Sequence, residues 1–71
     1  MLTIFSKNNC PQCDKAKAHL KSKNIEFTEV KIDQDMDKRN WLVAQGHKSV
    51  PQVYDGDVCI GGAKEVIAKF Q

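Results

Sequence analysis

Two cysteines separated by two residues are the part of this chain best suited to chemistry. They lie in the segment Cys10-Pro11-Gln12-Cys13, which follows a short apolar strand pattern and opens a stretch rich in Lys and Ala. Two thiols at this spacing, at the start of a helix, can close a small reversible disulfide. The segment therefore predicts thiol–disulfide exchange.

Helix-capping rules assign different roles to the two thiols. If Cys10 is the N-cap, Pro11 occupies the first helical position, where its missing N–H costs nothing. The amides of Gln12 and Cys13 then point toward the Cys10 sulfur, and the positive end of the helix dipole favours a thiolate there. We expect the pKa of Cys10 to fall below the ordinary value of about 8.5. Cys13, one turn inside the helix, is predicted to be the shielded thiol that resolves a mixed disulfide.

Length and composition predict one small domain over residues 1–71. Eleven Lys and Arg against nine Asp and Glu give a net charge of +2, with both signs interspersed. This balance favours neither a nucleic-acid partner nor a membrane surface, and no apolar stretch approaches the ~18 residues of a membrane span. Of the three cysteines, two form a lone Cys-X-X-Cys, which in a reducing compartment is typical of a catalytic or metal-binding site. We expect a cytoplasmic protein.

The hydrophobic pattern alternates between strands and helices. A helix between the first two strands implies a parallel crossover, and Asp55-Gly56 between two short apolar runs predicts an antiparallel hairpin. The expected fold is α/β with the order βαβαββα, a four-stranded mixed sheet flanked by three helices. The predicted strands are Leu2 to Ser6, Glu26 to Ile32, Pro51 to Tyr54 and Asp57 to Ile60, and the predicted helices are Pro11 to Lys23, one capped by Asp35 or Asp37 and ended by Gly46, and Ala63 to Phe70.

Three motifs together resemble a glutaredoxin over nearly the whole chain. They are Lys7-x-x-Cys10-Pro11-x-Cys13, the Val50-Pro51 step, and Cys59-Ile60-Gly61-Gly62 before the last helix. The resemblance implies a thioredoxin-like fold, glutathione as the reducing co-substrate, and a cis peptide before Pro51 facing the thiols. It also implies that the backbone of Val50 pairs with the cysteinyl part of glutathione.

The resemblance further implies where the two carboxylates of glutathione bind. Lys7 and Lys38 are expected near the glycyl carboxylate, and the amides that begin the last helix near the γ-glutamyl carboxylate. Gln12 stands where the family usually has an aromatic residue that shapes the groove. Lys64 stands where many members have Asp or Ser, so it cannot hold the ligand's ammonium group. The implied substrate-binding residues are Lys7, Gln12, Lys38, Val50, Pro51, Gly62, Ala63 and Lys64, beside the catalytic Cys10 and Cys13.

The predicted function is glutathione-dependent reduction of protein disulfides or glutathione mixed disulfides by a monomer. One alternative is a glutaredoxin-like electron donor to ribonucleotide reductase, recharged by thioredoxin reductase. Another is an iron–sulfur or copper carrier, because copper-carrying domains also place Cys-X-X-Cys between a first strand and helix. Such domains usually carry Met two residues before the first Cys, where this chain has Asn8. Zinc would need two further ligands, so no metal is expected.

Four other residues are predicted to have structural rather than functional roles. Trp41 is predicted to pack in the core, and His19 to be an exposed residue of the first helix. His47 is predicted to lie in a loop after Gly46. Cys59 is predicted to be a small strand residue rather than a third redox centre.

Overall fold

All 71 residues are described by the computed structural model, which contains four strands and three helices. Their order is βαβαββα, as the sequence predicts. Each strand or helix begins and ends at the predicted residue or about one residue away from it. The elements are β1 (Leu2–Ser6), α1 (Pro11–Ser22), β2 (Phe27–Lys31), α2 (Met36–Ala44), β3 (Gln52–Asp55), β4 (Val58–Gly61) and α3 (Ala63–Lys69).

The strands form one mixed sheet in the order β2-β1-β3-β4. β1 pairs with β2 in parallel, whereas β3 is antiparallel to both β1 and β4. The hairpin turn differs from the prediction by one residue. Asp55 pairs with Val58, so the two turn residues are Gly56 and Asp57. Gly56 has a φ of +59°, and a type II′ turn needs a glycine at this first central position.

The sheet has a separate apolar cluster on each face. On one face α1 and α3 cover the sheet, and the cluster consists of Leu2, Ile4, Ala16, Leu20, Val53, Ala63 and Val66. On the other face a smaller cluster of Phe5, Leu42 and Tyr54 lies under α2. The central strands β1 and β3 are thereby held from both sides. None of the three helices is long and apolar enough to cross a membrane.

Helix α2 covers its face of the sheet only in part. Asp35 caps the helix by accepting a hydrogen bond from the amide of Lys38 at 3.1 Å, and Gly46 with φ +91° follows its end, as predicted. The prediction that Trp41 packs in the core is wrong in part, because 43% of this residue is exposed. Its ring instead stacks over Phe5 at 5.6 Å and shields that ring from one side.

Candidate redox site

The Cys10–Cys13 pair lies where β1 ends and α1 begins, and the two residues form a disulfide. Cys10 is the N-cap of α1, and Pro11 is the first helical residue, as predicted. The backbone N–H of Cys13 donates to the Sγ of Cys10 at 3.2 Å. This hydrogen bond and the helix dipole both favour negative charge on the Cys10 sulfur.

Access from solvent differs between the two sulfurs. Cys13 is completely buried, whereas Cys10 keeps 7% of its surface exposed. Gln12, between them in sequence, is exposed on the first turn of α1. A disulfide partner arriving from solvent can therefore reach Cys10 and not Cys13.

The segment Val50-Pro51 lies in space between the cysteines and the start of α3. The Val50-Pro51 peptide bond is cis, which confirms the expectation drawn from the resemblance. The carbonyl oxygen of Val50 lies 3.9 Å from the Sγ of Cys10. On the other side, a Cβ added to Gly62 would lie only 3.3 Å from the carbonyl oxygen of Pro51. Cys10, Val50, Pro51 and Gly62 are therefore neighbours, which places the start of α3 close to the dithiol.

A groove of about 260 Å³ opens beside Val50. Lys7, Arg39 and Lys48 line it with positive charge, and Asp33 is the acidic residue in its wall. Side chains of this type attract a carboxylate, and Arg can bind one through two parallel hydrogen bonds. The groove could therefore hold the acidic end of a small ligand whose sulfur is at Cys10.

The structure places Arg39, rather than Lys38, in this groove with Lys7 and Val50. Lys38 lines a different hollow, near Phe5 on the face of the sheet that α2 covers. The reason is helical geometry, since one residue along an α-helix turns the side chain by about 100°. The sequence alone showed a run of charges from 33 to 39 without the phase of the helix, so it did not distinguish the two cations.

The start of α3 is already occupied by a carboxylate of the chain itself. The backbone N–H of Gly62 donates to the Oε1 of Glu65 at 2.8 Å. Gly61 has a φ of +126°, and a Cβ there would lie 2.7 Å from the Cγ of Glu65. Ala63 is buried and Lys64 is exposed. Sequence reasoning missed Glu65, although a Glu three residues after a helix N-cap is a known capping pattern.

An ion pair ties α1 to β2. The Oε2 of Glu29 accepts from the Nζ of Lys17 at 2.8 Å and from the Oγ of Ser6 at 2.7 Å. These hydrogen bonds, that to Lys17 first, hold the pKa of Glu29 below its ordinary value. The hydrogen bond to Glu29 likewise raises the pKa of Lys17, and Asp14, at 3.6 Å from the same Nζ, adds to the effect.

His47, Tyr54 and Cys59 are distant in the sequence but meet on the α2 face of the sheet. The Nε2 of His47 lies 2.7 Å from the hydroxyl of Tyr54 and 3.8 Å from the Sγ of Cys59. Burial, and then the neighbouring Cys59, raises the pKa of Tyr54. Cys59 is an exposed free cysteine on β4, and His47 also lines the groove beside Val50. No sequence motif signals this group, because its members lie on three different segments.

Two other observations concern possible ligands. His19, predicted to be exposed, is half-buried with its Nε2 3.0 Å from the carbonyl oxygen of Phe70. No group of three or more His, Cys, Asp or Glu side chains is arranged to hold a metal ion.

Known proteins resemble this chain in both sequence and fold. The glutaredoxin family model matches residues 2–60. A glutaredoxin-like 8.6 kDa protein from the rubredoxin operon of Clostridium pasteurianum is 39% identical over 72 residues, covering 99% of this chain and 96% of the relative.

Two solved structures have the same architecture. The glutaredoxin-like NrdH-redoxin of Escherichia coli superimposes with a TM-score of 0.87 and 27% identity, covering 99% of this chain and 93% of that protein. A buckwheat glutaredoxin solved with glutathione superimposes with a TM-score of 0.81 and 29% identity, covering 96% of this chain and 66% of that protein. Because the family model spans most of the chain and carries the dithiol segment, this thiol–disulfide oxidoreductase belongs to the glutaredoxin family.

Proposed function

We propose that this protein reduces disulfides of other proteins, and glutathione mixed disulfides, through the Cys10/Cys13 dithiol. The observation that carries the proposal is the asymmetric pair at the start of α1. Cys10 keeps a small exposed area and its sulfur accepts an amide hydrogen bond, and its disulfide partner is completely buried. An attacking thiol and a resolving thiol need these two environments.

The reaction begins with the reduced protein. The Cys10 thiolate attacks one sulfur of the substrate disulfide, forms a mixed disulfide and releases the other substrate sulfur as a thiolate. Cys13, already within disulfide distance of Cys10, then attacks the Cys10 sulfur. The substrate leaves with both thiols reduced, and its two electrons have come from the thiols of Cys10 and Cys13, which are oxidised to the disulfide.

Glutathione is the proposed reductant of that bond. One glutathione thiolate opens the disulfide at Cys10, and a second removes the first as glutathione disulfide. The cationic groove beside Val50 supports this route because its Lys7 and Arg39 suit the glycyl carboxylate of a glutathione bound at Cys10. Arg39 takes the role that the sequence assigned to Lys38. The buckwheat relative was solved as a glutathione complex.

Recharging by thioredoxin reductase is the second candidate, and a different observation favours it. The carboxylate of Glu65 occupies the amide of Gly62, and Lys64 offers no acidic partner for the ammonium group of glutathione. The E. coli NrdH-redoxin is described as having a thioredoxin-like activity profile. On this route the protein belongs with the electron donors to ribonucleotide reductase.

A reconstituted assay separates the two routes. Reduction of a glutathione mixed disulfide is followed with either glutathione and glutathione reductase, or thioredoxin reductase, as the sole electron source. We expect turnover with glutathione. Turnover with thioredoxin reductase alone, and none with glutathione, contradicts the first route and establishes the second.

The variant Lys64→Asp sharpens this assay. An acidic residue beside the start of α3 supplies the missing partner for the ligand's ammonium, so we expect the KM for glutathione to fall about threefold, as for an exposed charge contact. Lys69→Asp makes the same change of charge at the other end of α3 and serves as the control. An equal response of KM in both variants would show only a general effect of net charge.

The proposed setting is the cytosol, where reducing conditions keep a Cys-X-X-Cys available for turnover. The proposed acting form is the monomer, since both cysteines of the reaction belong to one chain.

A further inference from the structure

Cys59 lies in a cluster of reactive side chains that the dithiol reaction does not use. It is exposed on β4, directly opposite Tyr54 of β3 in the sheet register, so both side chains are on the α2 face. The loop after α2 brings His47 to the same place. The His47 Nε2 lies 3.8 Å from the Cys59 Sγ, and Gln52 approaches that sulfur through its Oε1 at 3.9 Å.

The arrangement is that of a nucleophile with a base and an orienting group. A thiol is activated when a base lies within hydrogen-bond reach and a third side chain fixes the base. Here the imidazole of His47 is the base. The Tyr54 hydroxyl lies 2.7 Å from the same Nε2 that faces Cys59, so this nitrogen takes the thiol proton when the hydroxyl turns to accept from it. Burial keeps the phenol of Tyr54 protonated, so its hydroxyl orients the imidazole as a neutral partner.

The surroundings indicate the chemical class of the partner. His47 contributes both to this cluster and to the wall of the groove lined by Lys7, Arg39 and Lys48. A small molecule whose sulfur reaches Cys59 can therefore extend acidic groups toward three cations. The site is open, so it can admit a disulfide of low molecular weight without movement of the strands.

We propose that Cys59, activated by His47, is a second thiol site that forms a mixed disulfide with small acidic disulfides of the glutathione disulfide class. The Cys59 thiol gives its proton to the Nε2 of His47 as the Tyr54 hydroxyl rotates to accept from the new N–H, and the thiolate attacks one sulfur of the small disulfide. A Cys59–S–S bond forms, the S–S bond of the ligand breaks, and one small thiolate leaves. The site goes beyond the proposed function, because neither Cys10 nor Cys13 takes part.

The test uses the full chain with its Cys10–Cys13 disulfide closed, so that Cys59 is the remaining free thiol. The oxidised protein is mixed with glutathione disulfide at pH 7, and the adduct is located and timed by mass spectrometry of peptides. We expect the adduct on Cys59 and a rate at least about threefold lower in His47→Gln, because this variant lacks the base that takes the thiol proton. His19→Gln, on the opposite face of the sheet, keeps the native rate.

A second probe tests the acidic class. Cystamine has the same reacting bond as glutathione disulfide but is cationic, so we expect it to react more slowly than glutathione disulfide. The ratio of the two rates should fall in Arg39→Gln and not in Lys38→Gln, which changes the neighbouring cation outside the groove. Circular dichroism confirms that each variant is folded, and His47→Asn replaces His47→Gln if the latter is not. No adduct on Cys59, or a native rate in the folded variant, overturns the proposal.

Discussion

Helices α1 and α3 begin at the same surface of the molecule, on either side of Val50-Pro51, but they use their first amides differently. At α1 the N-cap is Cys10, and its sulfur accepts the amide of Cys13 at 3.2 Å. At α3 the N-cap is Gly62, and its own amide donates to the carboxylate of Glu65 at 2.8 Å. The first helix start faces a redox sulfur, and at the second a carboxylate of the chain itself accepts the N-cap amide.

The difference shows how one physical device serves two purposes. The positive end of a helix favours any negative group, whether a thiolate, a ligand carboxylate or an acidic side chain. The acidic residue in the first turn of α1 is Asp14, which lies 3.6 Å from the Nζ of Lys17 and accepts no cap amide, so the field of this helix remains available to Cys10. Because Glu65 is present at α3, a glutathione carboxylate approaching there meets a like charge. Recognition of glutathione should then depend more on the groove of Lys7 and Arg39.

The largest expected effect is the loss of turnover when the N-cap residue Cys10 is replaced by another residue that can cap α1. Cys10→Ser keeps a good N-cap, so the unfolding free energy of the reduced protein should change by less than about 1 kcal/mol. Turnover of the mixed disulfide should be lost completely, because Ser cannot form the intermediate. Stability is measured by urea unfolding and turnover by the coupled assay.

Cys13→Ser is the matched variant for this prediction. It should trap the substrate as a mixed disulfide on Cys10 that mass spectrometry detects, whereas Cys10→Ser should trap none. A mixed disulfide on Cys13 in the Cys10→Ser protein would reverse the assigned roles of the two thiols.

The sequence predicts the α1 start far better than the α3 start. At α1 the chemistry is contained in four consecutive residues, and Pro11 fixes the phase of the helix, so local rules assign N-cap and shielded thiol correctly. At α3 the resemblance assigned the amides of Gly62, Ala63 and Lys64 to a ligand carboxylate. The competing carboxylate of Glu65 was overlooked, although it is also local.

Two further features of the site depend on contacts that are not local. The choice between Lys38 and Arg39 depends on how α2 is rotated over the sheet. The contact of His47 with Cys59 depends on the pairing of β3 with β4, where the register shifts between Val53 and Tyr54. Neither can be obtained from spacing along the chain, because both are set by packing between elements.

An intermediate effect is expected from Glu65→Gln at α3. Gln can still accept the Gly62 amide, so the cap remains while the negative charge is removed. If glutathione approaches α3, its KM should fall about twofold to fivefold, corresponding to the 0.3–1 kcal/mol of a charge at a helix end. The measurement is the glutathione dependence of turnover at low ionic strength.

Glu26→Gln removes an equal charge from a residue that forms no ion pair, and should leave this KM unchanged. If Glu65→Gln also leaves the KM unchanged, glutathione does not contact the start of α3, and the comparison between the two helix starts would lose its functional meaning.

The smallest expected effect concerns the ion pair that fastens α1, and not α3, to the edge strand β2. Glu29 has a lowered pKa, chiefly because it accepts from Lys17 and then Ser6. A carboxyl whose pKa is lower in the folded state stabilises that state above its unfolded pKa, near 4.5, and the stabilisation is lost as the pH falls through the folded pKa. Lys17, with a raised pKa, contributes below 10.5 and loses this contribution at higher pH.

Glu29→Gln should therefore lower the unfolding free energy at pH 7 by less than about 1 kcal/mol, since both side chains are partly exposed, at 27% and 20%. The difference from the native protein should shrink as the pH falls below about 4.5, because protonation removes the charge from native Glu29 as the substitution does. Urea unfolding of both proteins between pH 3 and pH 7 measures this, with Glu26→Gln as the reference for an unpaired carboxylate. A difference that stays constant over this range would mean that the charge of Glu29 does not stabilise the contact between α1 and β2.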